Sequence, residues 1–254
     1  MFTVTDVTFK VPSRTLLFPI SLSFKQGKVY GLIGHNGSGK STLIKLLAKQ
    51  NPYSSGLITF NNKPLPQWTS REFAKQVAYL PQNLPQATNL TARELIAMGR
   101  YAWNGLFGTD KKKDTDAINR ALNLTRTEKF ADQLVDTLSG GERSRIWLAM
   151  LLAQQSRFLL LDEPLAALDI AHQIEVMELV TKLAHELNLG IIIVIHDINL
   201  AARYCDHLIA LHNGKLLAQG NAFDMVNTTK LQEIYGVRLN VIAHPETRRP
   251  VSFY

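Results

Sequence analysis

A chain of 254 residues, 46% hydrophobic and 19% charged, can build one large domain or two small ones around an ordinary core, and shows no low-complexity segment. Its longest apolar runs, such as residues 147–153 and 189–195, fall well short of the roughly 20 residues that span a bilayer, so no transmembrane helix is predicted. The formal charge of +7 would suit nucleic acid, anionic lipid or a triphosphate, but no basic stripe interleaves with aromatics, which argues against nucleic acid as a partner.

Residues 1–7 alternate like a strand and lack the basic head and apolar centre of a signal peptide, so residence in the cytosol is expected. Alternation over residues 2–11 and 57–60 predicts antiparallel sheet joined to a core. Between them a strand at 29–33 runs into Gly34-His35-Asn36-Gly37-Ser38-Gly39-Lys40-Ser41-Thr42 and then into the amphipathic Leu43-Ile44-Lys45-Leu46-Leu47. Strand, glycine-rich loop and helix in that order make a complete P-loop. Its glycines let consecutive amides curl around phosphates and the helix N-terminus adds positive potential, while Lys40 reaches the β and γ phosphates and Ser41 ligates Mg²⁺. A nucleoside triphosphate site with Mg²⁺ follows, with the enzyme class left open.

Residues 83–154 change to helical periodicity, in segments 91–100, 114–124, 126–133 and 141–154, which predicts an inserted helical lobe. The basic triplet Lys111-Lys112-Lys113, bracketed by Asp110 and Asp114, reads as a solvated helix start. In Leu138-Ser139-Gly140-Gly141-Glu142-Arg143, Ser139 can cap the following helix and the first amides can bind any anion, so the residues alone leave structural and functional readings open. Segments 158–161 and 191–195 are continuously apolar, as strands buried on both faces of a parallel sheet are, and 171–187 reads as the crossover helix between them. The first of these strands ends in Asp162-Glu163, which places two carboxylates at its C-terminal edge: Asp162 to hold Mg²⁺ and Glu163 to orient and polarise the attacking water. Cys205 has no partner for a disulfide and reads as packing. Asn213-Gly214, flanked by 208–212 and 215–219, predicts a hairpin leading to a mixed C-terminal tail.

The P-loop, the Asp162-Glu163 strand end and Leu138-Ser139-Gly140-Gly141 together resemble the ATP-binding cassette (ABC) family. That resemblance implies an α/β fold: a RecA-like mixed and parallel sheet core with an N-terminal antiparallel β subdomain, residues 1–82 and 155–254, and an inserted α-helical subdomain, residues 83–154. It further implies that Ser139, Gly140, Gly141 and Glu142 contact the γ-phosphate of ATP held by a second copy. Gln82 resembles the glutamine that touches Mg²⁺ and the water, Asp169 the aspartate that communicates across the dimer, and His196 the switch histidine at the γ-phosphate. Two departures stand out. Val11 occupies the usual place of an adenine-stacking aromatic, with Tyr30 and Phe9 too close to buried strands to replace it, and Pro164-Leu165-Ala166-Ala167 lacks the family's Thr-Ser after proline.

Outside the motifs, Glu94-Leu95-Ile96-Ala97-Met98-Gly99-Arg100-Tyr101 and the stretch from His196 to Asp206 resemble ATPase subunits of bacterial importers for siderophores, haem and vitamin B12. Val11-Pro12-Ser13-Arg14-Thr15-Leu16-Leu17, Asp169-Ile170-Ala171-His172-Gln173 and Pro250-Val251-Ser252-Phe253-Tyr254 resemble most the ferric hydroxamate, or ferrichrome-type, importers. The resemblance implies an ATPase peripheral to the cytoplasmic face of the inner membrane, working with a permease and, indirectly, a substrate-binding protein. Haem, cobalamin and ferric dicitrate are the alternative cargoes, and a soluble cassette ATPase of iron–sulfur cluster assembly is the rival of another class. A P-loop kinase or GTPase would leave Gln82, Leu138 to Glu142 and His196 unexplained.

Overall fold

The computed structural model describes residues 1–104 and 110–254. Strand β1 (Phe2–Val11) buries Phe2, Val4 and Val7, and pairs antiparallel with β2 (Arg14–Phe24). Next come β3 (Lys28–Ile33), α1 (Lys40–Leu47), β4 (Ser55–Phe60) and the short β5 (Lys63–Pro64). Strands β1, β2, β4 and β5 make one sheet in the order β2-β1-β4-β5. The strand at 14–24 is hidden from sequence periodicity because Pro19 interrupts its pattern. Proline lacks the ladder donor, and it is tolerated here on an edge strand at an irregularity between the Val7–Ile20 and Phe9–Leu17 pairs.

Helix α2 (Ser70–Ala74) precedes β6 (Val77–Leu80), a four-residue strand too short for periodicity to reveal. Helices α3 (Ala92–Met98), α4 (Lys111–Thr125) and α5 (Gly140–Ala153) follow, with Lys111, Lys112 and Lys113 exposed at the start of α4 and Asp110 as its cap. The helix expected over 126–133 is absent except for a 3₁₀ turn at Glu128–Phe130. Arg126 adopts φ +55° and terminates α4, and the buried hydroxyls of Thr125 and Thr127 take backbone acceptors at Ala121 and Leu122. Local side-chain bonds of this kind compete with helix continuation.

The chain then alternates β7 (Phe158–Leu161), α6 (Ile170–Glu186), β8 (Gly190–Val194), α7 (Ile198–Tyr204) and β9 (His207–His212). A hairpin turns β9 into β10 (Lys215–Gly220), with Asn213 and Gly214 both at positive φ as expected of that dipeptide. Helices α8 (Ala222–Met225) and α9 (Thr228–Tyr235) lead to a terminal hairpin of β11 (Asn240–Ala243) and β12 (Pro250–Phe253). Asn199 of α7 anchors that hairpin by donating to Ser252 O at 3.0 Å and accepting from Ser252 N at 2.8 Å. The sequence signals for these last elements are weak because their order is tertiary.

The six-stranded sheet runs β10-β9-β3-β8-β7-β6, parallel from β9 to β6. Both faces are covered. Val29, Ile33, Ile191 and Ile193 face a core shared with α5, α6 and α7, whereas Tyr30, Leu32, Ile192 and Val194 face a second core shared with α1 and the antiparallel sheet. Burial on two faces is why these strands read as continuous apolar runs. Phe158 joins the second core edge-on to Phe2 and Phe60, at centroid separations of 5.1 and 5.7 Å. Cys205 is buried as expected, close beneath Gly31, where an added Cβ would lie 2.9 Å from its sulfur. Among the described residues no helix is long and apolar enough to cross a membrane.

Candidate nucleotide site

Parallel strands deliver the site residues from their carboxyl ends, where open α/β sheets bind ligands. The loop after β3 is residues 34–42; Gln82 follows β6, Asp162 and Glu163 follow β7, and His196 follows β8. Because β8 separates β3 from β7 and β7 lies between β8 and β6, the topology alone gathers these residues along one sheet edge.

In the loop, Gly34 has φ +137° and sits so close to the Leu211 carbonyl that any Cβ would collide with it. Gly39 has φ +105° and is the residue before α1; no side chain caps this helix, unlike α3, α5 and α6. Lys40 is 4% exposed and its Nζ donates to Gly34 O at 2.9 Å and His35 O at 3.0 Å. Burial pushes its pKa down, partly opposed by the charges of Glu163 and Asp162. The His35 ring stands edge-on to His212 at 4.7 Å, Asn36 and Gly37 are exposed, and Thr42 lies in the first turn of α1.

Ser41 Oγ donates to Asp162 Oδ1 at 2.9 Å. Asp162 is completely buried, its second oxygen has no hydrogen-bond partner, and desolvation raises its pKa. The Ser38 hydroxyl is likewise buried and unpartnered. These orphaned atoms test the fit of the expected ligands. A carboxylate oxygen and a serine hydroxyl converge as hard oxygen donors do around Mg²⁺, and an unpaired hydroxyl in the same loop as a buried lysine, ahead of an uncapped helix, suits phosphate. The residues fit both.

Glu163 adopts φ +53°, a left-handed conformation uncommon outside glycine and frequent where function over-determines the backbone. Its side chain is 13% exposed and held at both oxygens: Gln82 Nε2 donates to one at 2.7 Å, and His196 Nε2 lies 2.9 Å from the other. Glu163, Gln82 and His196 therefore come together as one polar cluster.

The Ser139–Glu142 segment is not part of that cluster. Ser139 caps α5 in a reciprocal box, its amide donating to Glu142 Oε2 at 3.0 Å and the Glu142 amide to Ser139 Oγ at 3.4 Å. Those Ser139 donors hold the Glu142 carboxyl below its usual range, so Glu142 is committed to the start of its own helix, where Gly141 is buried and Gly140 partly exposed. Gly140 lines a small cavity with Gln82, Glu163 and Leu168, and no loop residue from 34–42 lines it. Asp169 caps α6 by accepting from the His172 amide at 2.9 Å, a bond that lowers its pKa.

Tyr30 is buried, accepts from the Lys25 amide at 2.8 Å and stacks on His207, while Phe9 packs into the second core. Neither is free to stack on a base, and Val11 sits opposite Arg14 at the end of β1. Sequence reasoning missed Tyr79. Its hydroxyl is buried without a partner and its pKa is pushed up to about 12, mainly by burial and then by the Asp162 charge. The available signal was a polar-tipped ring in the apolar run Val77-Ala78-Tyr79-Leu80.

A glycine-rich loop between strand and helix, a buried carboxylate beside its serine and a second carboxylate clamped by glutamine and histidine, on a parallel sheet, make up a P-loop ATPase cassette. The chain matches the family described as ABC transporter over residues 17–166, and it belongs to that family. Its relatives include the ferric enterobactin transport ATP-binding protein FepC of Escherichia coli strain K12, 39% identical over 97% of this chain and 91% of that one. The iron(3+)-hydroxamate import ATP-binding protein FhuC of Bacillus subtilis strain 168 is 35% identical, over 94% and 88%. The hemin import ATP-binding protein HmuV of Rhodococcus jostii strain RHA1 is 38% identical, over 92% and 79%. A bacterial ABC transporter cassette solved as a dimer superposes with a TM-score of 0.75 at 25% identity, covering 87% of this chain and 98% of its own.

Proposed function

We propose that this chain is the ATP-hydrolysing subunit of a bacterial importer for ferric siderophores, with hydroxamate chelates as the cargo. The observation that carries the ATPase reading is Glu163 held between Gln82 and His196 beside a complete phosphate loop. The import reading rests on relatives that match over nearly the whole chain and are named for siderophore and hemin import. Hydroxamate cargo is supported by residues 11–17, 169–173 and 250–254. A second reading, ferric enterobactin as cargo, is supported by the higher identity to the ferric enterobactin protein, 39% against 35%.

In the proposed cycle Lys40 turns from the carbonyls of Gly34 and His35 to the β and γ phosphates of ATP. Ser41, Asp162 and Gln82 would hold Mg²⁺, which would supply neutralisation of developing phosphate charge. Glu163 accepts the proton of the attacking water, with Gln82 and His196 fixing its carboxylate. Ser139, Gly140 and Gly141 of a second copy close over the nucleotide, with Glu142 holding their helix start and Asp169 at the contact between copies; the dimeric relative supports this arrangement. Residues 83–154, next to Gln82, form the lobe that meets the permease at the cytoplasmic face of the membrane, so dimer closure moves the permease while the cargo never touches this chain.

The test is uptake of labelled iron as a hydroxamate, enterobactin or dicitrate chelate or as haem, and of labelled cobalamin, in cells with and without the gene. Loss of hydroxamate uptake alone supports the cargo named here; loss of another cargo replaces it. Intact uptake of all, with failing iron–sulfur enzymes, moves the assignment to the soluble assembly ATPase.

A further inference from the structure

The N-terminal turns of α5 and α6 meet within one chain, and His172 is the side chain between them. Its imidazole lies against Gly141 so closely that a Cβ at that position would collide with the ring. Gly140 approaches the same junction, where an added Cβ would lie 3.7 Å from Ala167 O and 3.7 Å from Leu168 Cδ2. From its other side the ring is fixed by Asp169, both of whose carboxylate oxygens lie 2.9 Å from Nδ1. Gln173 adds donors to Leu168 O at 2.9 Å and Leu165 O at 3.3 Å, which ties the loop ahead of α6 to the helix itself. One turn further along, Arg145 of α5 pairs with Glu175 of α6.

Asp169 therefore has two tasks in the single subunit: it caps α6 and it holds the ring that sets the position of Gly141. If its carboxylate turns toward a second copy, it releases His172, and the first turn of α5 loses its stop. We propose that His172 is a positioning residue that couples Asp169 to the first turn of α5, and so places the Gly140 and Gly141 amides that each copy offers to its partner. This rests on the ATP-sandwich reading above. His172 acts through Gly141 and needs no contact with nucleotide, and the coupling is carried by one packed and hydrogen-bonded unit.

The experiment uses the full chain carrying Glu163→Gln, with ATP-dependent dimerisation read by sedimentation and monomer affinity read with labelled ADP. Adding His172→Ala is expected to weaken the ATP-dependent dimer about tenfold, within the usual range of coupling between sites, and to leave ADP affinity and cooperative unfolding unchanged. Gly141→Ala is expected to block dimerisation by striking the ring, and His172→Ala added to it restores part of the dimer, whereas a merely structural loss would deepen the defect. Dimerisation unaffected by His172→Ala, or a double variant no better than Gly141→Ala, overturns the inference while leaving the sandwich intact. A Glu163→Gln parent that stays monomeric in saturating Mg-ATP overturns the sandwich reading, and the coupling falls with it.

Discussion

Exchanging Glu163 for glutamine separates what the carboxylate holds from what it does. The side chain is 13% exposed, so the amide cannot swing into solvent. Its oxygen keeps the 2.7 Å bond from Gln82, and its NH₂ faces His196 Nε2 across the 2.9 Å contact. The cluster therefore keeps its shape and loses its proton acceptor. General base catalysis contributes about 10²–10⁴ in rate, or roughly 3–5 kcal/mol of barrier at about 1.4 kcal/mol per tenfold. Phosphate release at saturating Mg-ATP, measured with the permease partner present, is expected to fall by at least about a hundredfold, while equilibrium ATP affinity is unchanged. Turnover within about tenfold of the parent would refute the assignment of Glu163 as base, because it falls below the range that such a group supplies.

Lys40→Ala removes an ammonium whose contacts are all made inside the loop; at roughly 1.5–3 kcal/mol for a charged hydrogen bond, ATP affinity should drop tenfold or more, which titration calorimetry checks. Asp162→Asn should raise the ligand-free thermal midpoint near neutral pH while abolishing the added stabilisation by Mg-ATP. The sign follows from Asp162 having a folded-state pKa above its unfolded value: its contribution is fully present below the unfolded pKa and is lost as pH rises through the folded one, so the neutral asparagine removes a cost. The difference between the two proteins should shrink on acidification, and a midpoint lowered by the substitution would contradict the burial argument. Asp114→Ala leaves Arg100, 5% exposed, without the carboxylate 2.8 Å from its Nε, and should cost about 3–5 kcal/mol in denaturant unfolding. A loss below about 1 kcal/mol, the ordinary worth of a surface pair, would mean that the pair is effectively solvated.

The parts of the site that could be read from the chain are those fixed by adjacent residues. Gly34 to Thr42 announces its own backbone path, and Asp162-Glu163 follows an apolar strand whose burial on both faces is written in its composition. Ser139 and Glu142 show a different limit, since the same residues make a capping box and a family signature, and only the resemblance pointed beyond the cap. Tyr79 could not be found because the carboxylate whose charge it feels lies 83 positions away, brought near by β6 pairing with β7. The failed helix at 126–133 marks the same boundary: apolar spacing favoured it, but two buried threonine hydroxyls and the left-handed Arg126 ended α4 first.

The placement of β3 at the centre of its sheet has a consequence for how the protein is made. Its two neighbours, β8 and β9, lie at residues 190–194 and 207–212, so the strand that carries the phosphate loop leaves the ribosome with both edges bare. At about 5–20 residues per second the partners follow on the order of ten seconds later or more. For that interval Val29 to Ile33 is an apolar strand with unpaired backbone, a template for wrong pairing. The nascent chain must be sheltered, or must hold β3 on the earlier antiparallel layer through Tyr30 and Leu32, until its last third arrives.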